Sequence, residues 1–433
     1  MRASRYRWAV IGLLFFITIV NYIDRSAISY AVGDLSHAFG LSQGSIGLIL
    51  GAFGIGYLVT TFLGGIWTDR YGAHRTLLAA SLLWSLAIGA TGLATGFAIL
   101  FAARIALGVA EGPNFPVMNR VVADWLAPGE RAIALSYALV AVPLALAIGA
   151  PVVTFLILHI GWRGMFLALA ALGLVWLPIW WFRFRDFPEH SPQVNAVELS
   201  HIRDGAEHHA GHAEAVHVSR RQLKGLWKFL FTNPTLLANN WAFFVFGYSL
   251  FFFMTWMPSY LGRTYGMDLK QVGLFSILPW LLAAVLLLAT GRLSDTLLKK
   301  TGRLRAARSH PIWISQLLAA LSIVPVVLAH SETIALVCVS LAVALGMAAN
   351  STFYAINADL APARSGTALG VMDTFFAIAG FVAPAVTGWL VNATGNFNAA
   401  FWLMAGLSIS SVLVVLLFHR PDQAPRLAEN GRR

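Results

Sequence analysis

Read for its apolar and polar positions, the chain is a succession of long apolar runs separated by short polar connections. A membrane-crossing helix needs about 20 mostly apolar residues. Twelve runs meet that measure: roughly 8–30, 44–67, 75–94, 96–118, 133–157, 163–182, 236–261, 271–291, 310–329, 332–354, 366–390 and 398–418. The connections after the third and ninth runs are very short, so those pairs should be hairpins. One long polar segment, 183–235, separates the sixth run from the seventh, and a tail, 421–433, ends the chain. The expectation is an all-α membrane protein. Twelve transmembrane helices would form two six-helix bundles, 1–182 and 236–420, related by pseudo-symmetry.

The first run follows Arg2, Arg5 and Arg7, as a signal peptide would. It continues into Asn21, Tyr22, Asp24 and Arg25 without a small-residue cleavage site. It is therefore expected to remain as the first crossing.

Composition agrees with the pattern. Of 433 residues, 58% are hydrophobic and 11% charged, against roughly 45–50% and 25% in soluble domains. The formal net charge of +11 would suggest a nucleic-acid partner in a soluble chain. Here the basic residues sit mostly in the connections and report orientation instead. With the N-terminus inside, 25 of them fall on the inner side and three, Arg163, Arg263 and Lys270, on the outer. Both termini and the linker should then be cytoplasmic, in a bacterial inner membrane. The expected partners are the lipid bilayer and a small solute, no nucleic acid, and the chain is expected to act as a monomer. Its one cysteine, Cys338, permits no internal disulfide. The linker carries Glu207, His208, His209, His212 and His217, but their loose spacing does not make a metal site. No cofactor or metal is expected.

The remaining two basic residues, Arg25 and Arg104, lie inside apolar runs. A charge at the bilayer centre costs at least about 2.5–3.5 kcal/mol, so such residues call for a reason. Glu111 follows Arg104 by seven residues, almost two helical turns, so both project from one face. Gly108 leaves that face open, and Pro113 and Pro116 should loosen the helix just past the carboxylate. The first run adds Asp24 beside Arg25. This pattern suits a polar cavity among helices; the bland alternative is an internal ion pair that only holds helices together.

The halves echo each other. Gly65-Ile-Trp-Thr-Asp69-Arg70-Tyr-Gly72-Ala-His-Arg75 follows the second run, and Gly291-Arg-Leu-Ser-Asp295, with a basic stretch to Gly302-Arg303, follows the eighth. An internal repeat of this kind suggests two bundles around a central path.

The stretch from Gly65 to Arg75 resembles the major facilitator superfamily, and Gly291–Asp295 fits a degenerate second copy. Three further places resemble its anion:cation symporter branch, which includes bacterial carriers for hexuronates, aldonates and glucarate and carriers for aromatic carboxylates. They are Asn21-Tyr22-Ile-Asp24-Arg25; Tyr57; and Glu111-Gly-Pro113-Asn-Phe115-Pro116 with Asn119-Arg120, Trp125, Pro128 and Glu130-Arg131. The similarity runs over nearly the whole chain, through Ile202-Arg203-Asp204-Gly205 and Thr255-Trp256-Met257-Pro258-Ser259-Tyr260.

By that resemblance Asp24 and Glu111 are proton-carrying carboxylates and Arg25 and Arg104 their charge partners. Tyr22, Tyr57, Ser351, Tyr354 and Asp373 are pocket residues. Asp69, Arg70 and Arg75 form a cytoplasmic gate, with the arginines pairing across the gap. Three departures bear on the substrate: Val142 stands where sugar-acid carriers have glutamine, Tyr354 where they have tryptophan and Asp373 where they have asparagine. Nearby Phe353 and Phe376 offer apolar surface.

The resemblance implies proton-coupled symport of a small organic anion by alternating access, with the proton as coupling ion. Burial raises a carboxylate's pKa and a nearby arginine lowers it, while an arginine fork can hold a carboxylate by two hydrogen bonds. Discontinuities at Pro113, Pro116, Pro143 and Pro151 would help the motion, although ordinary tolerated kinks would explain Pro143 and Pro151 as well. A sugar acid is the expected substrate and an aromatic or other small carboxylate the alternative. An intramembrane enzyme is disfavoured because no HExxH or GxSxG signature occurs. A sensor or scaffold would need a partner domain, and the linker is short and polar.

Overall fold

The computed structural model describes residues 3–204, 220–328, 331–361 and 365–424. Among these residues the regular structure is helical. In chain order the helices are α1 (Tyr6–Tyr30), α2 (Val32–Phe39), α3 (Gln43–Tyr71), α4 (Ala73–Gly92), α5 (Phe97–Glu111), α6 (Asn114–Trp125), α7 (Pro128–Arg183), α8 (Ala196–Asp204), α9 (Arg220–Thr232), α10 (Pro234–Tyr265), α11 (Leu269–Phe275), α12 (Ile277–Thr301), α13 (His310–Leu328), α14 (Glu332–Ala348), α15 (Asn350–Leu360), α16 (Ser365–Thr394) and α17 (Asn398–Phe418).

Nine helical stretches among the described residues are long and apolar enough to cross a membrane singly. One of them is two crossings: α7 reverses at Gly161, whose φ of 70° suits a residue without a Cβ. The remaining two of the expected twelve are α4 and the broken pair α5–α6. That crossing breaks at Gly112-Pro113, just past Glu111, as the sequence suggests. Pro143 and Pro151 do not interrupt α7, whose non-helical backbone is confined to Gly161. The tenth crossing breaks too, between α14 and α15 at Ala349, with no proline to announce it.

The crossings form two six-helix bundles. In the first, α1 packs on α7, α3 on α5, and α4 on α5 and α7; in the second, α10 packs on α16 and α17, and α14 on α12 and α13. The bundles meet chiefly where α3 runs antiparallel to α16 and where α7 meets α11 and α12. A methyl group on Gly47, Gly51 or Gly54 of α3 would collide with α16 backbone at Pro384, Gly388, Phe381 or Gly380. Small residues thus bring these helices into backbone contact. The contact lies toward the end away from the linker.

At the linker end the two halves repeat one charged arrangement, each within itself. Arg120 reaches Asp124 at 2.6 Å and Asp69 at 3.3 Å. Arg308 reaches Asp359 at 3.0 Å and Asp295 at 3.4 Å. Among the described residues no ion pair joins one half to the other. Two carboxylates cap helices far away in sequence: Asp186 accepts from the His74 amide at 2.8 Å, and Asp422 from those of Leu304 and Arg305 at 2.7 and 3.0 Å. Burial pushes His419 down to about 3, so it stays neutral beside Ser309, 2.6 Å away.

The linker is docked, not free, over α8. Glu198 is fully buried. It accepts from the Ser4 hydroxyl, the Tyr6 and Arg7 amides and the Arg7 guanidinium, the last at 2.9 Å. Arg7 also grips Glu130 through two bonds of 2.9 Å. His208, His209, His212 and His217 of the linker, with Glu207, lie outside the described residues.

Burial works against ionising Glu198, but those hydrogen bonds outweigh it and hold its carboxyl below the usual range. Its contribution is therefore present above about pH 4–5 and lost as pH falls through the lowered folded value. Glu198→Gln should speed hydrogen exchange of the α8 amides at neutral pH, a loosening of about 1–3 kcal/mol. Acidification should erase the difference from wild type; equal exchange at neutral pH would show that Glu198 does not hold the linker.

Candidate functional site

Midway along the first bundle, α1 and α5 deliver five buried polar or charged groups, Asn21, Asp24, Arg25, Arg104 and Glu111, to one place, and α3 adds the rings of Phe53 and Tyr57. Asp24, Arg25 and Arg104 are each 1% exposed and Glu111 is 0%. The ion pair runs between helices. Arg25 Nη2 donates to Glu111 Oε2 at 2.9 Å and Nε to the same oxygen at 3.1 Å. Nη2 also donates to Asn21 Oδ1 at 3.2 Å. The guanidinium is boxed by rings, with Cζ 4.4 Å from the Tyr22 centroid, 4.4 Å from Phe53 and 4.9 Å from Tyr57. A desolvated cation–π contact contributes about 2 kcal/mol, so the box offsets part of the burial cost.

The sequence reading set Arg104 beside Glu111 on one face. The structure keeps both buried but does not pair them. Seven residues at a rise of about 1.5 Å separate them by about 10 Å along the axis, and Arg25 from α1 takes the carboxylate instead. Arg104 makes one long hydrogen bond, Nη2 to the Arg25 carbonyl at 3.4 Å, and its Cζ lies 5.4 Å from the Phe53 ring. No carboxylate lies within 4.0 Å of it among the described residues, and its Nε is buried without a hydrogen-bond partner. Arg25 Nη1 is buried and unpartnered as well.

Asp24 also differs from expectation. Neighbouring side chains on a helix point about 100° apart, so Asp24 turns away from the Arg25 guanidinium. Glu111 is the charged group within its electrostatic reach, and its Oδ1 is buried without a hydrogen-bond partner.

Backbone proximity makes this assembly feasible. A methyl group on Gly108 of α5 would overlap the Phe53 carbonyl of α3. With that Cβ absent, Phe53 and Tyr57 can stack, 5.4 Å between ring centroids, and reach Arg25. Phe53 and Asn21 were missed as site residues in the sequence. Their signal is spacing: each lies four residues before a recognised one, Tyr57 and Arg25, on the same helix face.

The second bundle contributes amides and aromatics. Ser351, Tyr354 and Asp373 are half-buried. Tyr354 sets its ring edge on Phe243, 5.7 Å away. Ser351 Oγ and the Oδ1 atoms of Asn239, Asn240 and Asn350 are buried without hydrogen-bond partners. Asn239 and Asn357 donate to the Phe353 carbonyl at 3.3 and 2.8 Å. None of these asparagines stood out in the sequence, because single amides in apolar runs carry no spacing signature. Phe353 and Phe376, expected as lining, are instead packed into the aromatic cluster of this half at 0% and 8% exposure. Val142 is buried at 4%.

The gate residues lie at the linker end, Asp69 in the last turn of α3 and 73% exposed. Asp69 is tied to Arg120 of its own half. Arg70 lies over Tyr71, Cζ 5.4 Å from the ring, and among the described residues neither Arg70 nor Arg75 pairs across the gap. Among the described residues no cluster of His, Cys, Asp or Glu could hold a metal.

Comparison with known proteins fits this arrangement. The profile of the Major Facilitator Superfamily matches residues 14–308 and 301–433. The chain is 34% identical to the hexuronate transporter of Bacillus subtilis (strain 168), over 96% of each chain. It is 33% identical to a probable sulfoacetate transporter of Cupriavidus necator, again over 96% of each. The crystal structure of a D-xylose-proton symporter superposes with a TM-score of 0.75 at 16% identity, covering 96% of this chain and 99% of that one. These relatives are transporters, and neither they nor the family are enzymes.

Removing one partner of a buried pair strands the other. Glu111→Ala should therefore cost about 3–5 kcal/mol, read as a large drop in thermal unfolding temperature in detergent. Glu111→Gln keeps an acceptor for Arg25 and should cost clearly less. Equal losses would mean that volume, not the charge on Arg25, dominates.

Proposed function

The chain belongs to the major facilitator superfamily, and we propose that it is a secondary active transporter that takes up a small organic anion together with a proton. The observation that carries this reading is Arg104, a sealed guanidinium without a carboxylate partner. A buried charge left unpaired costs several kcal/mol. A substrate carboxylate bridging Arg104 Nε and Arg25 Nη1 would satisfy both orphan donors at once. The hexuronate and sulfoacetate transporters among the relatives both take organic anions by their names.

Within that class we favour a sugar acid of hexuronate, aldonate or glucarate type. Phenols and amides converge from both halves, while the rings that would make an aromatic slot, Phe353 and Phe376, are packed away. Tyr22, Tyr57, Ser351, Tyr354 and Asp373 then supply hydroxyl contacts. Glu111 carries the coupling proton. Protonating it releases Arg25 from its ion pair, so proton and anion load together; Asp24, the other buried carboxylate, accompanies it. No further cofactor is needed, and a monomer suffices.

Contact between the bundles away from the linker, with separate charged triads at the linker end, fits a state open toward the linker. Charge distribution makes that side cytoplasmic in a bacterial inner membrane. Closure there would bring Asp69, Arg70 and Arg75 against the other half.

Arg104→Ala should weaken anion binding by about tenfold to a hundredfold, the equivalent of one charged hydrogen bond. Arg104→Lys should rescue only part, since an ammonium lacks the fork. Ligand-dependent thermal shift of purified protein checks both; unchanged affinity in Arg104→Ala would remove the anion site from this cavity. Glu111→Gln should stop uphill accumulation in vesicles while sparing anion exchange, and normal accumulation by that variant would make Glu111 structural. Tags at Ser4 and in 205–217 should be cytoplasmic and one at Gly266 external; an external linker would reverse the orientation.

A further inference from the structure

The proposed site has two poles, and only one is cationic. Arg25 and Arg104 stand on the first bundle. Opposite them, on the second, stands Asp373. The contact between α3 and α16 fixes this placement. Gly47 meets Pro384 and Gly388, Gly51 meets Phe381, and Gly54 meets Ala377, Gly380 and Phe381. Continuing this antiparallel register by one turn sets Tyr57 against Asp373. The same tyrosine is engaged by Arg25, whose Cζ is 4.9 Å from the ring centroid. Tyr57 is therefore a neighbour shared by Arg25 and Asp373.

The surroundings of Asp373 agree. Tyr22, Tyr57 and Tyr354 all lie within its electrostatic reach. Among the described residues no arginine, lysine or histidine pairs with it, and no side chain donates a hydrogen bond to it. It is half-buried, not sealed. A carboxylate in that position accepts hydrogen bonds from hydroxyl groups and repels a second negative group brought close to it.

We propose that Asp373 is a specificity-determining residue: it selects monoanionic hydroxy acids, whose far end presents hydroxyl donors, against dianionic acids, whose far end presents a second negative charge. This deepens the sugar-acid reading above and rests on it. The carboxylate of the substrate lies on the arginine pole and its terminal hydroxyls reach the Asp373 pole, so one molecule spans the two bundles. The relatives include both substrate types by name, a hexuronate carrier and a probable carrier of the dianion sulfoacetate; on this proposal the substrate of this chain carries a single negative charge.

D-gluconate and D-glucarate test the idea directly. They share a six-carbon hydroxylated chain and differ at one end, a hydroxymethyl group against a carboxylate. Dissociation constants are read from concentration-dependent thermal shifts of the purified full-length protein at neutral pH. The wild type should bind gluconate at least about tenfold more tightly than glucarate. Asp373→Asn should weaken gluconate and strengthen glucarate, closing most of that gap, while Asp373→Glu should keep it. A wild type that binds both acids equally overturns the proposal without any variant. A folded Asp373→Asn with the wild-type ratio overturns it too. If neither acid shifts the protein while benzoate does, the sugar-acid reading itself falls and takes this inference with it.

Discussion

Everything in the first bundle answers to one constraint: two guanidinium groups held out of water with one ion-paired carboxylate between them. Arg25 is paired to Glu111 and boxed by Tyr22, Phe53 and Tyr57. Among the described residues Arg104 finds neither an ion pair nor a full set of hydrogen bonds. In a low-dielectric interior a charge left in that state costs several kcal/mol. The break at Gly112-Pro113 and the close approach at Gly108 serve this arrangement. The first ends the helix beside Glu111, and the second lets α3 bring its rings onto Arg25. On the proposed reading, stability and substrate binding are drawn from the same residues.

The two bundles repeat in architecture but not in chemistry. Each has a charged triad at the linker end, built from Asp69, Arg120 and Asp124 in one and Asp295, Arg308 and Asp359 in the other. Each caps its third crossing with an aspartate that follows its sixth, Asp186 and Asp422. Halfway across, they diverge: arginines and carboxylates on one side, amides, phenols and Asp373 on the other. A solute held between unlike walls touches both bundles at once. As proposed, it would thereby bias the rocking that alternating access requires.

Much of this was legible in the sequence, for physical reasons. Hydrophobic run length fixes crossings, so the twelve expected spans agree with the helices to within a few residues at most ends. Charges inside apolar runs are costly enough to announce themselves, and Asp24, Arg25, Arg104 and Glu111 do converge. Pairing was not legible. Arg25 takes Glu111 from a helix 86 residues away, and a one-dimensional pattern favoured the nearer Arg104. Long-range caps such as Asp186 and the burial of Glu198 were invisible for the same reason. Phe353 and Phe376 show the converse error: a ring near a candidate pocket in sequence was assigned to its surface when it packs behind it. The break at Ala349 has no proline to mark it, although it falls in the crossing that matches the broken fourth.

The claim on which the rest depends is that this buried charge network takes up a proton together with the anion it binds. Purified protein in vesicles without any imposed gradient, given a pulse of sugar acid in weakly buffered medium, tests it most directly. Entry of the anion should draw protons inward and make the medium transiently alkaline, with an amplitude that follows the amount of acid taken up. Anion uptake of the same size with no change in external pH would contradict it.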